Sequence, residues 1–369
     1  MFKQYQLRNY RIKLIIFVLV LTTIGILVIG SAEKSFQSQQ IFGLVLGLVA
    51  MLVCSLTDYN LFMNLNWPIY GFNLLLLLIV LSPVGKTVNG AQRWIEIPFL
   101  FQIQPSELAK ILIILFFAKF FSDRADRINE PKIILVSLVL FAIPAVLILK
   151  EPDLSTTITI SLVFCSLIFV AGFSYKYIGG IFAVVALVVL VFLSYVMRED
   201  QTLLEPYQRE RIMAWLNPSK YIDEAYQQQN SIMAIGSGQL SGKGLYNDAV
   251  ASVKNADYIA EPQTDFIFAV AGEELGFIGT ASIIILLLLI VIEIVMIGRN
   301  AKDLAGNLIC CGVAAWIGFQ SFINICVATG LMPNTGVPLP FMSYGLTSLA
   351  SLYIAIGIVL NVGLQPRKY

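Results

Sequence analysis

Histidine is absent from this chain of 369 residues. Because histidine is the side chain whose ordinary pKa lies nearest neutral pH, its absence removes the most frequent general base. Proton transfer must therefore fall to Asp, Glu, Lys, Tyr or Cys. Asp265 is the most informative of these residues, since it stands where the polar segment 198–263 meets a long hydrophobic run. A carboxylate at a membrane boundary requires a reason.

Charged residues are also scarce. They make up 13% of the chain, whereas hydrophobic residues make up 58%, a balance that excludes an ordinary soluble domain. Hydrophobic runs long enough to cross about 30 Å of hydrocarbon recur throughout, which predicts an all-α polytopic membrane protein with about ten transmembrane helices. The expected spans are 13–29, 40–56, 61–81, 106–121, 131–149, 154–172, 175–197, 265–297, 305–331 and 343–363.

The distribution of basic residues predicts the orientation. Lys3 and Arg8 precede the first span, and an even number of crossings returns Arg367 and Lys368 to the same side, so both termini should be cytoplasmic. Residues 1–369 then form a single membrane domain with one large extracellular loop at 198–263. No cleavable signal peptide is evident, because the first hydrophobic run already has the length of a span.

Cysteines and phosphate-binding motifs add little. All five cysteines fall within predicted spans, which favours neither a disulfide framework nor a zinc site. The stretch 236–244 is rich in glycine, but Ser237 and Gly244 break the P-loop pattern, so a turn-rich loop is favoured over nucleotide binding. The alternative is that Lys243 and exposed backbone N–H groups contact a phosphorylated lipid headgroup. Segments 207–216 and 225–235 have the pattern of interfacial helices.

Ionisable residues within or beside the spans are the candidate functional groups. Glu107 and Lys110 lie three residues apart on one helical face, as an ion pair that either neutralises itself or lines a substrate site. Asp153 either caps the following helix or contributes to function. Asp265 has the same alternative, because a helix N-terminus favours a carboxylate. The candidate cations Arg93, Lys110, Arg211 and Lys243 gather on the outer side, which suits an anionic lipid.

Several motifs, in order and over nearly the whole chain, resemble the SEDS family, which comprises RodA, FtsW and SpoVE. These motifs are QRW at 92–94, QPSELAK at 104–110, EPDL at 151–154, TDFIFAV at 264–270, EELG at 273–276 and GVPLPFMSYG at 336–345. Residues 337–340 are more similar to RodA than to FtsW.

The resemblance implies a peptidoglycan glycosyltransferase that polymerises lipid II at the outer face of the cytoplasmic membrane, in cell-wall synthesis and cell shape or division. By this resemblance Asp265 is the catalytic base of an inverting displacement. The implied substrate-binding residues are Arg93, Glu107, Lys110, Asp153, Arg211, Lys243 and Ser343. Mg²⁺ or Mn²⁺ would supplement the cations near the diphosphate, without an organic cofactor, and the partner would be a class B penicillin-binding protein, a transpeptidase.

Two positions depart from the family pattern. Leu346 replaces a glycine of the last outer loop, and Ala225 replaces a glycine that precedes Tyr226. Two other functions also remain open. A lipid II flippase would need charges along a path through the membrane, whereas here they cluster outward. A non-catalytic scaffold for a penicillin-binding protein would tolerate substitution of Asp265.

Overall fold

The computed structural model describes residues 10–88, 91–96, 102–197, 206–246 and 261–365. Lys3, Arg8, Arg367 and Lys368, which predict cytoplasmic termini, lie outside these ranges. Residues 198–205 and 247–260 of the predicted outer loop also lie outside them.

The described residues form a helical bundle with one small sheet. The helices are α1 (Ile12–Ala32), α2 (Lys34–Leu56), α3 (Tyr59–Asn64), α4 (Asn66–Leu81), α5 (Pro105–Ser122), α6 (Pro131–Lys150), α7 (Leu154–Val170), α8 (Tyr175–Val196), α9 (Pro206–Leu216), α10 (Ile222–Ser237), α11 (Ile267–Arg299), α12 (Leu304–Ala328) and α13 (Leu346–Leu364). Nine of the ten predicted spans coincide with one helix each, whereas the span predicted at 61–81 is divided into α3 and α4 at Leu65. Helices α9 and α10 correspond to the two helices expected in the outer loop. The predicted all-α polytopic fold is thereby confirmed.

Length and composition support the membrane assignment. Within the described ranges, α1, α2, α6, α11, α12 and α13 are long and apolar enough to cross a membrane, and α4 and α7 are apolar but shorter. Successive spans alternate in direction, so the loops after α1, α4, α6, α8 and α12 lie at one end of the bundle. Both ends of the described chain lie at the other.

A three-stranded antiparallel sheet between α4 and α5 was not predicted from the sequence. It consists of β1 (Gly85–Val88), β2 (Ala91–Glu96) and β3 (Gln102–Ile103), in the order β1-β2-β3. Ile95 pairs with Ile103, which places the end of β2 beside the start of α5. Pro105 begins that helix, as its fixed φ allows.

Close approach of α2 and α13 depends on glycines. A Cβ on Gly47 would lie 2.9 Å from the ring of Tyr353, and one on Gly357 would lie 2.6 Å from the carbonyl oxygen of Met51. Such small residues let two membrane helices pack backbone to backbone. This contact fixes α13 against α2 and thereby positions the loop that precedes α13.

Helix α11 is broken at Gly276, which has φ 65° and ψ −164°. The glycine-rich loop after α10 supplies partners for both halves. The backbone N–H of Lys243 donates to the carbonyl of Glu273 at 3.0 Å, and the N–H of Phe277 donates to the carbonyl of Gln239 at 2.8 Å. Loop 238–244 is therefore a specific packing element, because it satisfies backbone groups that the break releases inside the bundle.

Candidate active site

A cavity of about 850 Å³ opens at the end of the bundle that carries the sheet, α9 and α10. Its wall includes six of the predicted site residues, which come from five separate segments. They are Arg93, Glu107, Lys110, Asp153, Arg211 and Asp265. Residues distant in sequence are thus brought to one polar pocket, which is the typical form of a substrate site.

Asp265 lies two residues before α11 and is partly exposed to the cavity. Phe266 is the N-cap residue of that helix, and no side chain caps it, so the capping interpretation of Asp265 is wrong. Gly336 leaves room for the carboxylate, because a Cβ there would lie 3.2 Å from Asp265 Oδ2 and 3.6 Å from Arg211 Nη1. The carboxylate and the guanidinium therefore flank the same glycine.

The surroundings of Asp265 suit a base. Burial raises the pKa of its carboxyl, and the carboxylates of Glu261 and Asp153 act in the same direction. The guanidinium groups of Arg211 and Arg93 lower that pKa. The net effect is a pKa above the ordinary aspartate value, which strengthens the carboxylate as a proton acceptor.

Asp153 combines the two roles that were left open. Its carboxylate caps α7 by accepting from the N–H of Thr156 at 3.0 Å and from the hydroxyl of Ser155 at 2.9 Å. Its other oxygen accepts from Ser106 Oγ at 3.1 Å while the residue lines the cavity. Burial would raise its pKa, but Arg93 and the donors of Thr156 and Ser155 outweigh burial and hold the pKa below its ordinary value. Asp153 is therefore a fixed negative charge beside the cavity.

Arg93 reaches the site from β2. Its Nε donates to the carbonyl of Glu151 at 3.1 Å, and its Nη2 donates to the carbonyl of Pro152. The side chain of Glu151 is fully buried, and neither carboxyl oxygen has a hydrogen-bond partner. Burial and, to a smaller extent, Asp153 raise the pKa of Glu151 to about 9 against the opposing effect of Arg93. Glu151 is therefore neutral at pH 7 and does not cancel the charge of Arg93.

Glu107 and Lys110 form the predicted pair on α5, with Nζ and Oε1 separated by 2.7 Å. Both side chains are buried in the cavity wall. Lys110 also donates to Gln320 Oε1 at 2.8 Å, and Trp316 Nε1 donates to the same oxygen at 2.7 Å. The pair is therefore both an internal ion pair and part of the cavity lining, and Gln320 of α12 fixes the ammonium group.

Lys243 and Ser343 do not line the cavity. Lys243 forms an ion pair with Glu273 at 2.7 Å, beside the break in α11. Ser343 Oγ donates to the carbonyl of Thr264 at 2.7 Å and accepts from the N–H of Leu339 at the same distance. The structure thus places both residues in contacts that support α11 and the segment before it, outside the cavity lining.

Gln320 and Asn324 are buried residues near the site that sequence reasoning missed. They lie one turn apart on α12. The sequence signal for them is their polarity, because uncharged polar residues inside a hydrophobic span require partners. Gln320 Nε2 donates to the carbonyl of Pro338 at 2.9 Å. Asn324 Nδ2 donates to the carbonyl of Val337 at 2.6 Å. Together they hold the loop that faces Asp265.

The departure at Leu346 is accommodated by α2. A Cβ on Gly43 would lie 2.7 Å from Leu346 Cδ2, so the absent side chain of Gly43 leaves space for the leucine. Leu346 also forms part of the cavity wall. Ala225, at the second departure, is buried on α10.

The donors in the cavity fit a divalent ion only if the substrate contributes ligands. Within the described ranges, no group of three or more Asp, Glu, Cys or His side chains could hold a metal ion alone. Asp265 and Glu261 both line the cavity, and their carboxylates interact. One or two carboxylates together with substrate phosphates are a usual Mg²⁺ site.

Comparisons with known proteins agree with this geometry. The model of a family described as "Cell cycle protein", covering FtsW, RodA and SpoVE, matches residues 8–368. A probable peptidoglycan glycosyltransferase FtsW of Coxiella burnetii is 34% identical, with 98% of each chain covered. The corresponding protein of Nitrosomonas europaea is 36% identical over 80% of this chain and 74% of its own.

Solved structures are also similar. A chain of a peptidoglycan synthase complex that coordinates polymerization and crosslinking is 29% identical, with a TM-score of 0.79 and coverage of 96% of this chain and 97% of that one. The rod shape determining protein RodA of Thermus thermophilus is 25% identical, with a TM-score of 0.71 and 98% coverage of both chains. Because both FtsW and RodA proteins match, the closer similarity to RodA inferred from residues 337–340 stays a prediction.

Proposed function

This chain belongs to the FtsW, RodA and SpoVE family and is a peptidoglycan glycosyltransferase of cell-wall synthesis, and we propose that it polymerises lipid II with Asp265 as general base. The observation that carries the proposal is the position of Asp265. Its carboxylate lies in a polar cavity, has a raised pKa, and is surrounded by cations that suit a diphosphate.

The reaction that these residues support is a single displacement. A hydroxyl of the acceptor sugar attacks the anomeric carbon of the donor, and the bond from that carbon to the diphosphate oxygen breaks. The hydroxyl proton passes to the Asp265 carboxylate, and the diphosphate leaves with the bonding electrons. Arg93, Arg211 and Lys110 supply positive charge for the leaving group, and Glu107 holds Lys110 in place.

We propose further that Mg²⁺ or Mn²⁺ is shared between the protein and the diphosphate. Glu261 is the residue that would hold the ion together with the substrate phosphates, because Asp265 accepts the proton and both oxygens of Asp153 already accept hydrogen bonds. When bound, the ion would supply positive charge beside the departing diphosphate.

A flippase is less well supported, because the cavity lining does not continue along α5 beyond Lys110. Below Lys110, α5 carries four fully buried phenylalanines that pack on one another, with ring centroids 5.1 Å apart for Phe116 and Phe117 and 5.4 Å apart for Phe117 and Phe121. The fourth is Phe120. A path for a polar headgroup would need polar or charged residues there.

The proposed partner is a class B penicillin-binding protein. Its support is the similarity to a chain of a synthase complex that coordinates polymerization and crosslinking. This sequence lacks the Ser-Asp-Asn and Lys-Thr-Gly motifs that accompany Ser-x-x-Lys in transpeptidases. The proposed location is the bacterial cytoplasmic membrane, with the cavity outside and both termini in the cytoplasm.

The test is glycan-strand synthesis from purified lipid II, with and without the partner and with EDTA or added Mg²⁺ or Mn²⁺. Asp265→Asn keeps the shape of the side chain and removes the base, so we expect activity to fall roughly 10²–10⁴-fold. Lys119→Gln, near the C-terminal end of α5 and outside the cavity, should retain activity. Polymerisation by folded Asp265→Asn at the wild-type rate would refute the base assignment and favour a scaffold. Equal rates with EDTA and with metal would refute the shared ion.

A further inference from the structure

The backbone before α11 is held by an unusually complete set of hydrogen bonds. Three consecutive carbonyls, those of Gln263, Thr264 and Asp265, each accept one bond from residues between positions 324 and 344. The donors are the N–H of Tyr344 at 2.9 Å, Ser343 Oγ at 2.7 Å and Asn324 Nδ2 at 2.8 Å.

The donors themselves are fixed. Asn324 is fully buried on α12, and its Nδ2 also donates to the carbonyl of Val337. Ser343 is 6% exposed, and Gln40 of α2 donates to its carbonyl at 3.1 Å. The bonds therefore join the segment that carries Asp265 to two spans, α2 and α12, whose positions are set by packing.

We propose that Ser343 and Asn324 are positioning residues for the reaction, acting through the backbone of Asp265 without touching substrate. This inference rests on the proposed function of Asp265. Three fixed carbonyls leave the main chain of 263–265 little freedom, so the direction of the Asp265 carboxylate into the cavity is set before substrate binds. A displacement of a catalytic group by about 1 Å can lower a rate about 10²-fold.

The role assigned to Ser343 differs from the substrate-binding role that the family resemblance implies. Ser343 does not line the cavity, and its hydroxyl is engaged both as a donor to Thr264 and as an acceptor from Leu339. A substrate ligand and a positioning residue give different kinetics. Loss of a ligand raises KM for lipid II, whereas loss of a positioning residue lowers kcat at nearly constant KM.

The experiment measures kcat, KM for lipid II and thermal unfolding for the full-length protein with its partner. Ser343→Ala and Asn324→Ala each remove one donor to the segment. We expect kcat to fall roughly 10–100-fold, with KM within about twofold of wild type. Ser343→Thr keeps the hydroxyl and should recover most of the lost kcat. The double variant should lose less than the product of the two single losses, because both donors restrain one segment.

Ser321→Ala is the matched control. Ser321 is also 6% exposed and donates to the carbonyl of Ile317 at 2.7 Å, but it does not contact residues 263–265. Its kcat should equal that of wild type. A higher KM with unchanged kcat in Ser343→Ala, or an equal loss of kcat in Ser321→Ala, would overturn the proposal.

Asp265→Asn, measured beside these variants, separates the two proposals. If Asp265→Asn is inactive while Ser343→Ala and Asn324→Ala both keep wild-type kcat, only the positioning role fails. If Asp265→Asn is fully active, the proposed function of Asp265 fails. If Asn324→Ala does not fold, the comparison of kcat between Ser343→Ala and Ser343→Thr still tests the positioning role.

Discussion

At the residue scale, the chemistry of the site depends on how its charges face one another. Asp265 has two guanidinium groups that stabilise its anion and two carboxylates that oppose it. Glu151 lies two residues before Asp153 in sequence. It does not add a third carboxylate charge opposing that of Asp265, because burial keeps its carboxyl protonated at neutral pH. The negative charge near the cavity is therefore limited by the protonation of Glu151, a residue that does not line the cavity.

The polymerisation activity should depend on pH through Asp265. Asp265 accepts a proton only when ionised, so kcat/KM should fall as pH decreases through its raised pKa. Arg211→Gln removes a charge that lowers this pKa, so the acid limb of the profile should move to higher pH. The measurement is the pH dependence of kcat/KM for polymerisation, which reports groups of the free enzyme.

Arg209→Gln provides the control for that profile. Arg209 lies on α9, as Arg211 does, and the substitution removes the same charge. Arg209 donates to the carbonyl of Val196 at 3.3 Å and does not line the cavity. Its acid limb should coincide with that of wild type. An acid limb that is unchanged in Arg211→Gln would assign the titration to a group other than Asp265.

At the scale of elements, the spans could be predicted from sequence, because bilayer thickness sets the length of each hydrophobic run. The sheet β1–β3 could not, since its short strands lack a continuous hydrophobic pattern and depend on packing at the start of α5. The break at Gly276 was hidden for a different reason. A single glycine does not predict it, and the groups that stabilise it come from a loop distant in sequence.

The break gives a prediction about stability. Gly276→Ala should lower the free energy of unfolding, because φ 65° with ψ −164° is a region nearly restricted to glycine and costs other residues about 1–3 kcal/mol. The new Cβ would also lie 2.3 Å from the backbone nitrogen of Gly242, which adds to the loss. The measurement is the thermal unfolding of the purified protein in detergent.

Gly236→Ala is the comparison for this variant. Gly236 lies in α10, directly before the loop 238–244 that contains Gly242. A Cβ on Gly236 meets no atom within 4 Å. Alanine should leave stability unchanged or raise it by about 0.5 kcal/mol. Equal unfolding midpoints for the two variants would show that the helix does not need the glycine conformation at 276.

At the scale of the whole molecule, the site lies at one end of the helical bundle. Six of the predicted site residues converge because alternate connections of the bundle meet at one end, an arrangement that follows from the antiparallel direction of successive spans. Sequence order alone could group these residues on one side of the membrane. It could not separate the cavity-lining residues from Lys243 and Ser343, because that distinction depends on side-chain partners.

The orientation of this end is the last prediction. After replacement of the five cysteines, single cysteines are introduced at Lys86, on the exposed β1 strand, and at Arg127, in the connection between α5 and α6. A membrane-impermeant maleimide should label Lys86→Cys in intact spheroplasts, and Arg127→Cys only after permeabilisation. The basic residues at the Arg127 end favour this orientation, since Lys and Arg are retained on the cytoplasmic side.

A permeant maleimide that labels both positions shows that each cysteine is reactive, so protection from the impermeant reagent then reports sidedness alone. The reverse pattern, with Arg127→Cys labelled from outside, would place the cavity in the cytoplasm. Polymerisation at the outer face would then be excluded even if Asp265 proved to be the base. Chemistry and topology are therefore independent requirements of the proposed function, because one is fixed by side chains around the cavity and the other by the charge distribution of the loops.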